Sequence, residues 1–178
     1  MKQRARQKGF TIVELLIVIV VIAILAAISI VAYNGIQTRA ENTKTVSATS
    51  VWVKALQMYK AELGSYPVHH SCLGDLNSYD GAFSGRCYSP ETSNWVVRQI
   101  FLDVMSPYIK TYPSPSSKNF NTDVGQRRGA LYYPASAGDE RIYLFVGGSS
   151  CPEVGGLPSA YSSVALSNGR ECLYRLPQ

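Results

Sequence analysis

An unbroken apolar stretch dominates the first part of the chain. Residues 15–28 are all apolar, and after Ser29 the apolar character resumes as far as Tyr33. Counted from Phe10 to Tyr33, the stretch is 24 residues long, which is about 36 Å as an α-helix and enough to cross a bilayer core of about 30 Å. Its side chains are mainly Ile, Leu, Val and Ala, which pack as well against identical neighbours as against lipid. The pattern therefore predicts a transmembrane or self-associating helix over residues 10–33.

The helical pattern continues after Tyr33 but becomes amphipathic. No proline or glycine occurs in residues 37–63, and apolar side chains recur there at helical spacing. The predicted apolar face consists of Trp52, Leu56, Tyr59 and Leu63. Gly64 can cap the helix and Pro67 cannot continue it. We expect residues 34–66 to place this face on a folded domain, and the helix from Phe10 to Gly64 to be about 80 Å long.

A second, shorter helix is predicted after a loop over residues 68–89. It covers about residues 93–106, with Ser93 or Asn94 as the capping residue and Pro107 after its end. Its predicted buried face consists of Val97, Ile100, Phe101, Val104 and Tyr108.

Strand patterns follow in the last third of the chain. Residues 130–133 and 142–146 are separated by a polar loop and can pair as a hairpin. Residues 162–166 and 171–176 flank Asn168-Gly169, a strong hairpin signal. The predicted fold is α+β, with a long N-terminal helix packed on a small antiparallel sheet of three or four strands.

The charge distribution argues against direct nucleic-acid binding. The chain has 178 residues, enough for one domain and an anchor, and a formal net charge of +5. Four of its 17 Lys and Arg residues lie in the first nine positions, and without them thirteen basic side chains face twelve acidic ones. The remaining basic residues are scattered and form no stripe for phosphates. Because basic residues beside an apolar span stay cytoplasmic, we expect residues 1–9 inside and the rest of the chain outside.

The four cysteines are all on the predicted outer side. Sequence alone allows three pairings of four cysteines. We predict the neighbouring pairs Cys72–Cys87 and Cys151–Cys172, each worth about 3 kcal/mol by the loop-entropy model. No closely spaced cysteine pair suggests zinc.

One carboxylate stands at the start of the apolar stretch. The segment reads Lys8-Gly9-Phe10-Thr11-Ile12-Val13-Glu14. A charged side chain within a membrane-length apolar segment is energetically unfavourable, so it is a candidate for function.

This segment resembles the class III signal of type IV pilins and pseudopilins. The resemblance implies that a prepilin peptidase cuts after Gly9 and N-methylates the new N-terminal Phe10. It also implies that the Phe10 amine of an incoming subunit pairs with Glu14 of a subunit already in a filament. The chain is then a filament subunit and not an enzyme.

The same resemblance implies a lollipop-shaped subunit with four parts. These are a leader peptide over residues 1–9, a transmembrane or filament-core helix over 10–33, an amphipathic helix over 34–66 and an extracytoplasmic head over 67–178. Expected partners are other pilin subunits, the prepilin peptidase, the membrane, and the pilus assembly platform with its ATPase. The expected location is the inner membrane, with the C-terminus outside, and then a surface filament or pseudopilus.

The chain departs from the family at one position. Many members carry a proline about twenty-one residues after the mature N-terminus, where this chain has Val31. The nearest helix-weakening residues are Asn34 and Gly35. We expect any break of the helix on assembly to lie near Gly35.

No cofactor, metal or catalytic set is predicted. His69-His70 has no matching acid or histidine nearby and is interpreted as part of a surface loop. Residues 75–81 resemble a calcium loop only faintly, because the glycine is one place late and the distal glutamate is absent. The serines do not stand in a nucleophile motif.

Three alternatives remain open. The first is a pseudopilin of a type II secretion or competence machine, which uses the same signal. The second is a membrane-anchored extracytoplasmic binding module or enzyme that does not polymerise. The third is a cleaved secretory signal, because Ala26, Ala27 and Ala32 can imitate a cleavage site.

Overall fold

The computed structural model describes residues 11–79, 85–89, 95–122 and 125–178. In chain order the elements are α1 (Ile12–Leu63), β1 (Ser71–Cys72), β2 (Tyr88–Ser89), α2 (Gln99–Met105), β3 (Phe120–Thr122), β4 (Gly125–Arg127), β5 (Ala130–Pro134), β6 (Glu140–Val146), β7 (Ser162–Leu166) and β8 (Gly169–Arg175). The predicted α+β class is confirmed. By internal packing the chain divides into a unit that ends at Gln37 and a second unit, Thr38–Gln178.

The two predicted helical segments form one continuous helix. Helix α1 contains 52 residues. It ends where glycine was expected to cap it, because the Gly64 N–H donates to the Lys60 carbonyl at 2.8 Å. Gly64 has φ +78°, a left-handed conformation that favours glycine.

The buried face of α1 in the second unit is shifted relative to the prediction. Trp52 and Leu56 are fully buried, but Tyr59 is half-buried and Leu63 is 56% exposed. The face extends instead towards the N-terminus through Thr45 and Thr49. The Thr49 hydroxyl donates to the Thr45 carbonyl at 2.8 Å, so this polar group is satisfied within the helix. An apolar pattern alone does not detect such residues.

The second unit contains two antiparallel sheets. The larger has the order β1-β5-β6-β8-β7 and the smaller the order β2-β4-β3. Both predicted hairpins, β5–β6 and β7–β8, are confirmed. The larger sheet has five strands instead of three or four, because two-residue β1 pairs with β5 and adds to its edge. The smaller sheet was not predicted, since its strands are two or three residues long.

The core lies between α1 and one face of the larger sheet. Ile142 and Leu144 on β6 are fully buried in the same cluster as Trp52 and Leu56. Tyr132 stacks on Phe101 of α2 with ring centroids 5.5 Å apart. Alternation along β6 places Tyr143 and Phe145 on the opposite face.

The second helix is shorter than predicted. It begins at Gln99, and its N-cap Arg98 has an extended backbone without a side-chain cap. The predicted caps Ser93 and Asn94 lie outside the described residues. The segment just before the helix is held as an extended strand by tertiary hydrogen bonds, since the Cys72 N–H donates to the Val96 carbonyl at 3.0 Å and the Val97 N–H to the Gly85 carbonyl at 2.6 Å.

The buried face of α2 also differs from the prediction. The residues buried on it are Phe101, Leu102 and Met105. Ile100 is 49% exposed, and Val104 and Tyr108 are half-buried. Val97 is buried as predicted, but it belongs to the extended segment before the helix and not to a helical face.

The β7–β8 turn sits one residue earlier than the sequence suggests. Leu166 pairs with Gly169, so the turn residues are Ser167 and Asn168 and Gly169 belongs to β8. A Cβ atom at Gly169 would lie 2.4 Å from both the Phe120 ring and the Val146 carbonyl oxygen. Close packing, and not the turn, requires glycine here.

Two disulfides cross-link the second unit. They join Cys72 to Cys87 and Cys151 to Cys172, the neighbouring pairing that we predicted. The first joins β1 to the residue just before β2, and the second attaches the loop after β6 to β8.

An ion-paired carboxylate gives the second unit a testable pH dependence. Asp139, at the β5–β6 turn, accepts a hydrogen bond from Arg141 and another from Arg175 at 3.1 Å. These bonds, chiefly that from Arg141, hold the pKa of Asp139 below its usual range. The contribution to stability is present above the unfolded pKa of about 3.9 and is lost as the pH falls through the lower folded value.

We therefore expect Asp139→Asn to flatten the dependence of the free energy of unfolding on pH below about pH 4. Denaturant unfolding at a series of pH values measures this. Glu153→Gln is the matched control, because Glu153 is exposed and forms no ion pair with a described residue. Identical curves for Asp139→Asn and the native chain would show that the ion pairs do not stabilise the fold.

Candidate functional site at the start of helix α1

The first turn of α1 contains a capping box built around Glu14. The Leu15 N–H donates to the Thr11 carbonyl at 3.3 Å, which makes Thr11 the N-cap. The Glu14 N–H donates to the Thr11 hydroxyl at 3.2 Å, and the Thr11 N–H and hydroxyl both donate to Glu14 Oε2 at 2.8 Å. This reciprocal pairing satisfies donors that a helix start otherwise leaves open. The Thr-x-x-Glu spacing was visible in the sequence, but its capping role was not predicted.

The carboxylate also lies at the favourable end of the helix dipole. Partial positive charge at a helix N-terminus attracts an acidic side chain in the first turn. Glu14 is thus held at the helix start by backbone and side-chain bonds of its own chain. Contacts within a single subunit therefore define its position.

An exposed apolar surface follows directly after this turn. Every side chain in residues 11–30 is exposed, including Ile12 at 83% and Ile28 at 64%. Within the part of the chain that the structure describes, α1 is long and apolar enough to cross a membrane, judged by length and composition. A surface of this extent marks contact with a partner or with lipid.

The few polar or flexible residues in this surface do not interrupt the helix. The Ser29 hydroxyl donates to the Leu25 carbonyl at 2.7 Å, so it presents no unsatisfied donor to an apolar environment. Asn34 and Gly35 are both helical in the isolated chain. A break near Gly35 on assembly stays a prediction.

Gly35 offers a direct test of helix strength at that point. A Cβ atom at Gly35 would meet no heavy atom within 4 Å, so Gly35→Ala adds helix propensity without a clash. We expect about 1 kcal/mol of local stabilisation and roughly fivefold slower amide exchange around residue 35. Hydrogen exchange with mass spectrometry measures it in the detergent-solubilised chain. Ala40→Gly, on an exposed position of the same helix, should change the exchange in the opposite direction, and unchanged exchange in both variants would contradict the expectation.

The other residues proposed around this site are not placed by the structure. Gly9 and Phe10, the predicted cleavage and methylation positions, and the leader over residues 1–9 lie outside the described residues. Glu14 is the predicted site residue that the structure places. Pairing of Glu14 with a Phe10 amine therefore stays a prediction.

The loops considered for metals are held together by their own hydrogen bonds. Asp75 Oδ1 accepts from the Asn77 N–H at 2.9 Å and from the Ser78 hydroxyl at 3.1 Å. Asp80 and Gly81, also part of the calcium-like sequence, lie outside the described residues. Across the described ranges, no three His, Cys, Asp or Glu side chains are grouped to hold a metal. The His70 ring lies 5.9 Å from that of Tyr133.

A set of hydrogen bonds that joins α1 to Gly147 and Ser116 was not predicted from the sequence. The Asn42 side-chain amide donates to the Gly147 carbonyl and accepts from the Gly147 N–H, both at 2.8 Å. The Ser116 hydroxyl donates to Glu41, and the Ser116 N–H donates to the Thr45 hydroxyl at 3.1 Å. These bonds connect α1 with residues 71 to 105 positions away, so no local pattern shows them.

Comparisons with known proteins identify a family motif in the N-terminal segment and several relatives of the chain. The family model for the prokaryotic N-terminal methylation motif matches residues 4–30. Type II secretion system core protein G of Aeromonas hydrophila is 38% identical over 74 residues, which are 42% of this chain and 52% of that protein. A fimbrial protein of Neisseria meningitidis is 34% identical over 74 residues, 42% of this chain and 44% of that protein. Fimbrial protein EcpC of Eikenella corrodens is 32% identical over 77 residues, 43% of this chain and 50% of that protein.

The match is partial in length. The chain spans about half the length of the curated relatives it matches. No solved structure matches it. These findings confirm the predicted resemblance, because residues 4–30 match the prokaryotic N-terminal methylation motif and the relatives are a type II secretion system core protein and fimbrial proteins.

Proposed function

We propose that this chain is a structural subunit of a type IV pilus-like filament. A prepilin peptidase removes residues 1–9 and methylates the new N-terminus at Phe10. The precursor crosses the inner membrane once through residues 10–33, with the C-terminus outside. The mature subunits then assemble through their N-terminal helices, and the part of the chain after residue 66 lies on the filament surface.

The single observation that carries the proposal is the first part of α1, which combines one charge with a fully exposed apolar surface. The helix offers Ile, Leu and Val side chains on all sides, so neighbours of the same kind can pack around it. Glu14 lies at the end of this surface and has only its own Thr11 as a partner among the described residues. In a low-dielectric filament core, a cation from another subunit offsets the desolvation of this carboxylate.

The proposal predicts a specific mature N-terminus. Peptide mass spectrometry of membrane and sheared-surface fractions should find N-methylated Phe10 as the first residue. Gly9→Val should leave the full-length precursor in the membrane, because a branched side chain beside the scissile bond blocks close approach of the peptidase. Gln7→Val is the matched control two positions earlier and should be processed normally. An intact Met1, or a new end after Ala26, would contradict the proposal.

A pseudopilin is the second candidate, and the similarity to type II secretion system core protein G favours it. It uses the same processing and the same helix packing but forms a short periplasmic filament. The assembly platform and its ATPase are expected partners in both cases. Electron microscopy of the native cells distinguishes the two, since long surface fibres indicate a pilus and their absence, with processed subunits present, indicates a pseudopilus.

A further inference from the structure

Strand β7 leaves one edge of the larger sheet open along residues 162–165, while β3 lies against the end of the strand near Ser167. It is the last strand in the order β1-β5-β6-β8-β7, and its residues 162–165 are exposed. Val164 at its centre is 53% exposed. Charged side chains and proline commonly protect a sheet edge from pairing with another strand. Residues 162–166 contain neither.

The register shows which backbone groups point outward from this edge. Leu166 and Gly169 close a two-residue turn, so they form a hydrogen-bonded pair, and Val164 with Glu171 forms the next. The N–H and C=O groups of Ser163 and Ala165 therefore point away from β8. Within the described ranges they accept or donate no hydrogen bond outside the hairpin. The next outward residue, Ser167, shows the direction, because its N–H points to the Asn121 carbonyl of β3 at 3.4 Å.

Two clefts flank this edge, one on each face of the sheet. The first has a volume of about 460 Å³, and among its lining residues are Val164, Leu166 and Arg127. It lies on the face of Glu171, which is opposite Val164 and forms an ion pair with Arg127. Its apolar wall is formed by the side chains of β7 itself.

The second cleft, of about 350 Å³, lies on the opposite face. Among its lining residues are Ser149, Ser150, Ser163 and Arg170. Ser163 pairs with Cys172, whose side chain lies on the core face of the sheet. The Arg170 guanidinium donates to the Ser163 hydroxyl at 2.6 Å, and its Nε is buried without a hydrogen-bond partner in the described part of the chain. Hydroxyl groups and an arginine can together donate hydrogen bonds to the carboxylate of a bound partner.

We propose that the open edge of β7 binds an extended segment of a partner protein by strand addition, with apolar side chains in the Val164–Leu166 cleft and acidic ones beside Arg170. Successive side chains of an added strand point to opposite faces, so alternate residues enter the two clefts. Backbone bonds to Ser163 and Ala165 supply affinity. The charge of Arg170 selects an acidic partner face, since Glu171, the acid that the described residues place on β8 opposite this strand, is already paired with Arg127.

The test uses the full chain in detergent micelles, so it does not depend on filament assembly. The probe is a short fluorescent peptide in which valine and glutamate alternate. We expect it to bind with at least about tenfold higher affinity than the same peptide with alternate backbone amides N-methylated, and than a valine–lysine peptide. Amide exchange of residues 163 and 165 should slow in the complex.

Two variants locate the binding at this edge. Ala165→Pro removes an outward donor that the fold does not use, so it should abolish binding with little change in the unfolding midpoint. Arg170→Glu should exchange the preference between the glutamate and lysine peptides, and it decides the question if the proline variant fails to fold. Equal binding of the N-methylated peptide, native affinity in Ala165→Pro, or no binding of the valine–glutamate peptide overturns the proposal.

Discussion

Replacing Glu14 with alanine should leave processing and membrane insertion intact and should abolish filaments. The proposed peptidase site is at Gly9 and Phe10, and the apolar helix is unchanged, so cleavage and insertion should not need this carboxylate. In a filament core the processed Phe10 amine would lose its charge partner. An uncompensated buried charge weakens association by roughly a hundredfold or more. Sheared-fraction immunoblots and electron microscopy measure the filaments, and mass spectrometry measures the processing.

The capping box provides matched controls for this result. Glu14→Gln can still accept from the Thr11 N–H, but it carries no charge, so it should fail to assemble as Glu14→Ala does. Thr11→Val removes the side-chain half of the box and keeps the carboxylate, so it should assemble. Filaments from Glu14→Gln, with none from Thr11→Val, would mean that helix capping and not charge pairing is the role of Glu14.

Replacing Trp52 with alanine should strongly destabilise the second unit. Trp52 is fully buried, stacks on Tyr112 with ring centroids 5.6 Å apart and lies 5.7 Å from Phe101. Its indole N–H donates to the Pro113 carbonyl at 3.0 Å. Removal of a buried tryptophan costs about 3–5 kcal/mol, a large part of the 5–15 kcal/mol by which a domain is typically stable.

Urea unfolding of the full chain in detergent, followed by circular dichroism, measures this loss. Ile100→Ala is the control, because Ile100 is half exposed on α2 next to Phe101 and should cost much less. Trp52→Phe should fall between the two, since it keeps most of the apolar area and loses the hydrogen bond. Equal losses for Trp52→Ala and Ile100→Ala would contradict the packing described around Trp52.

The sequence alone predicted the helices and strands that local residue patterns determine. Helix α1 follows from a long run of apolar and helix-forming residues, and Gly64 ends it as expected. The β7–β8 hairpin follows from Asn168-Gly169, although the turn itself uses Ser167 and Asn168. In this hairpin glycine is needed for the close approach of Phe120, which depends on a strand far away in the sequence.

The predictions that were wrong failed because tertiary contacts override the local pattern. A helical pattern covers residues 95–98, but backbone bonds from Cys72 and to Gly85 keep that segment extended. The apolar spacing on α1 includes Leu63, which is more than half exposed, and omits Thr45, which is buried and accepts a hydrogen bond from the Ser116 N–H. Periodicity identifies a face, but the packing partner decides where the buried part begins and ends.

The arrangement of the candidate site and of the helix that carries it could also be predicted only in part. The position of Glu14 at the start of an apolar helix could be inferred from local order alone. The hydrogen bonds between Asn42 and Gly147 could not be inferred in this way, because the two residues are 105 positions apart. Cleavage after Gly9 and methylation of Phe10 depend on another protein and remain predictions.

The spacing of the cysteines has a consequence for the order of oxidation. A chain that emerges into an oxidising compartment from its N-terminal side presents Cys72 and Cys87 together, well before Cys151 has arrived. The first disulfide then forms without a competing thiol, and Cys151 and Cys172 have only each other as partners. Under the proposed topology, directional export would therefore favour this connectivity over the other two. A reduced chain that refolds in free solution presents all four thiols at once and loses this selection.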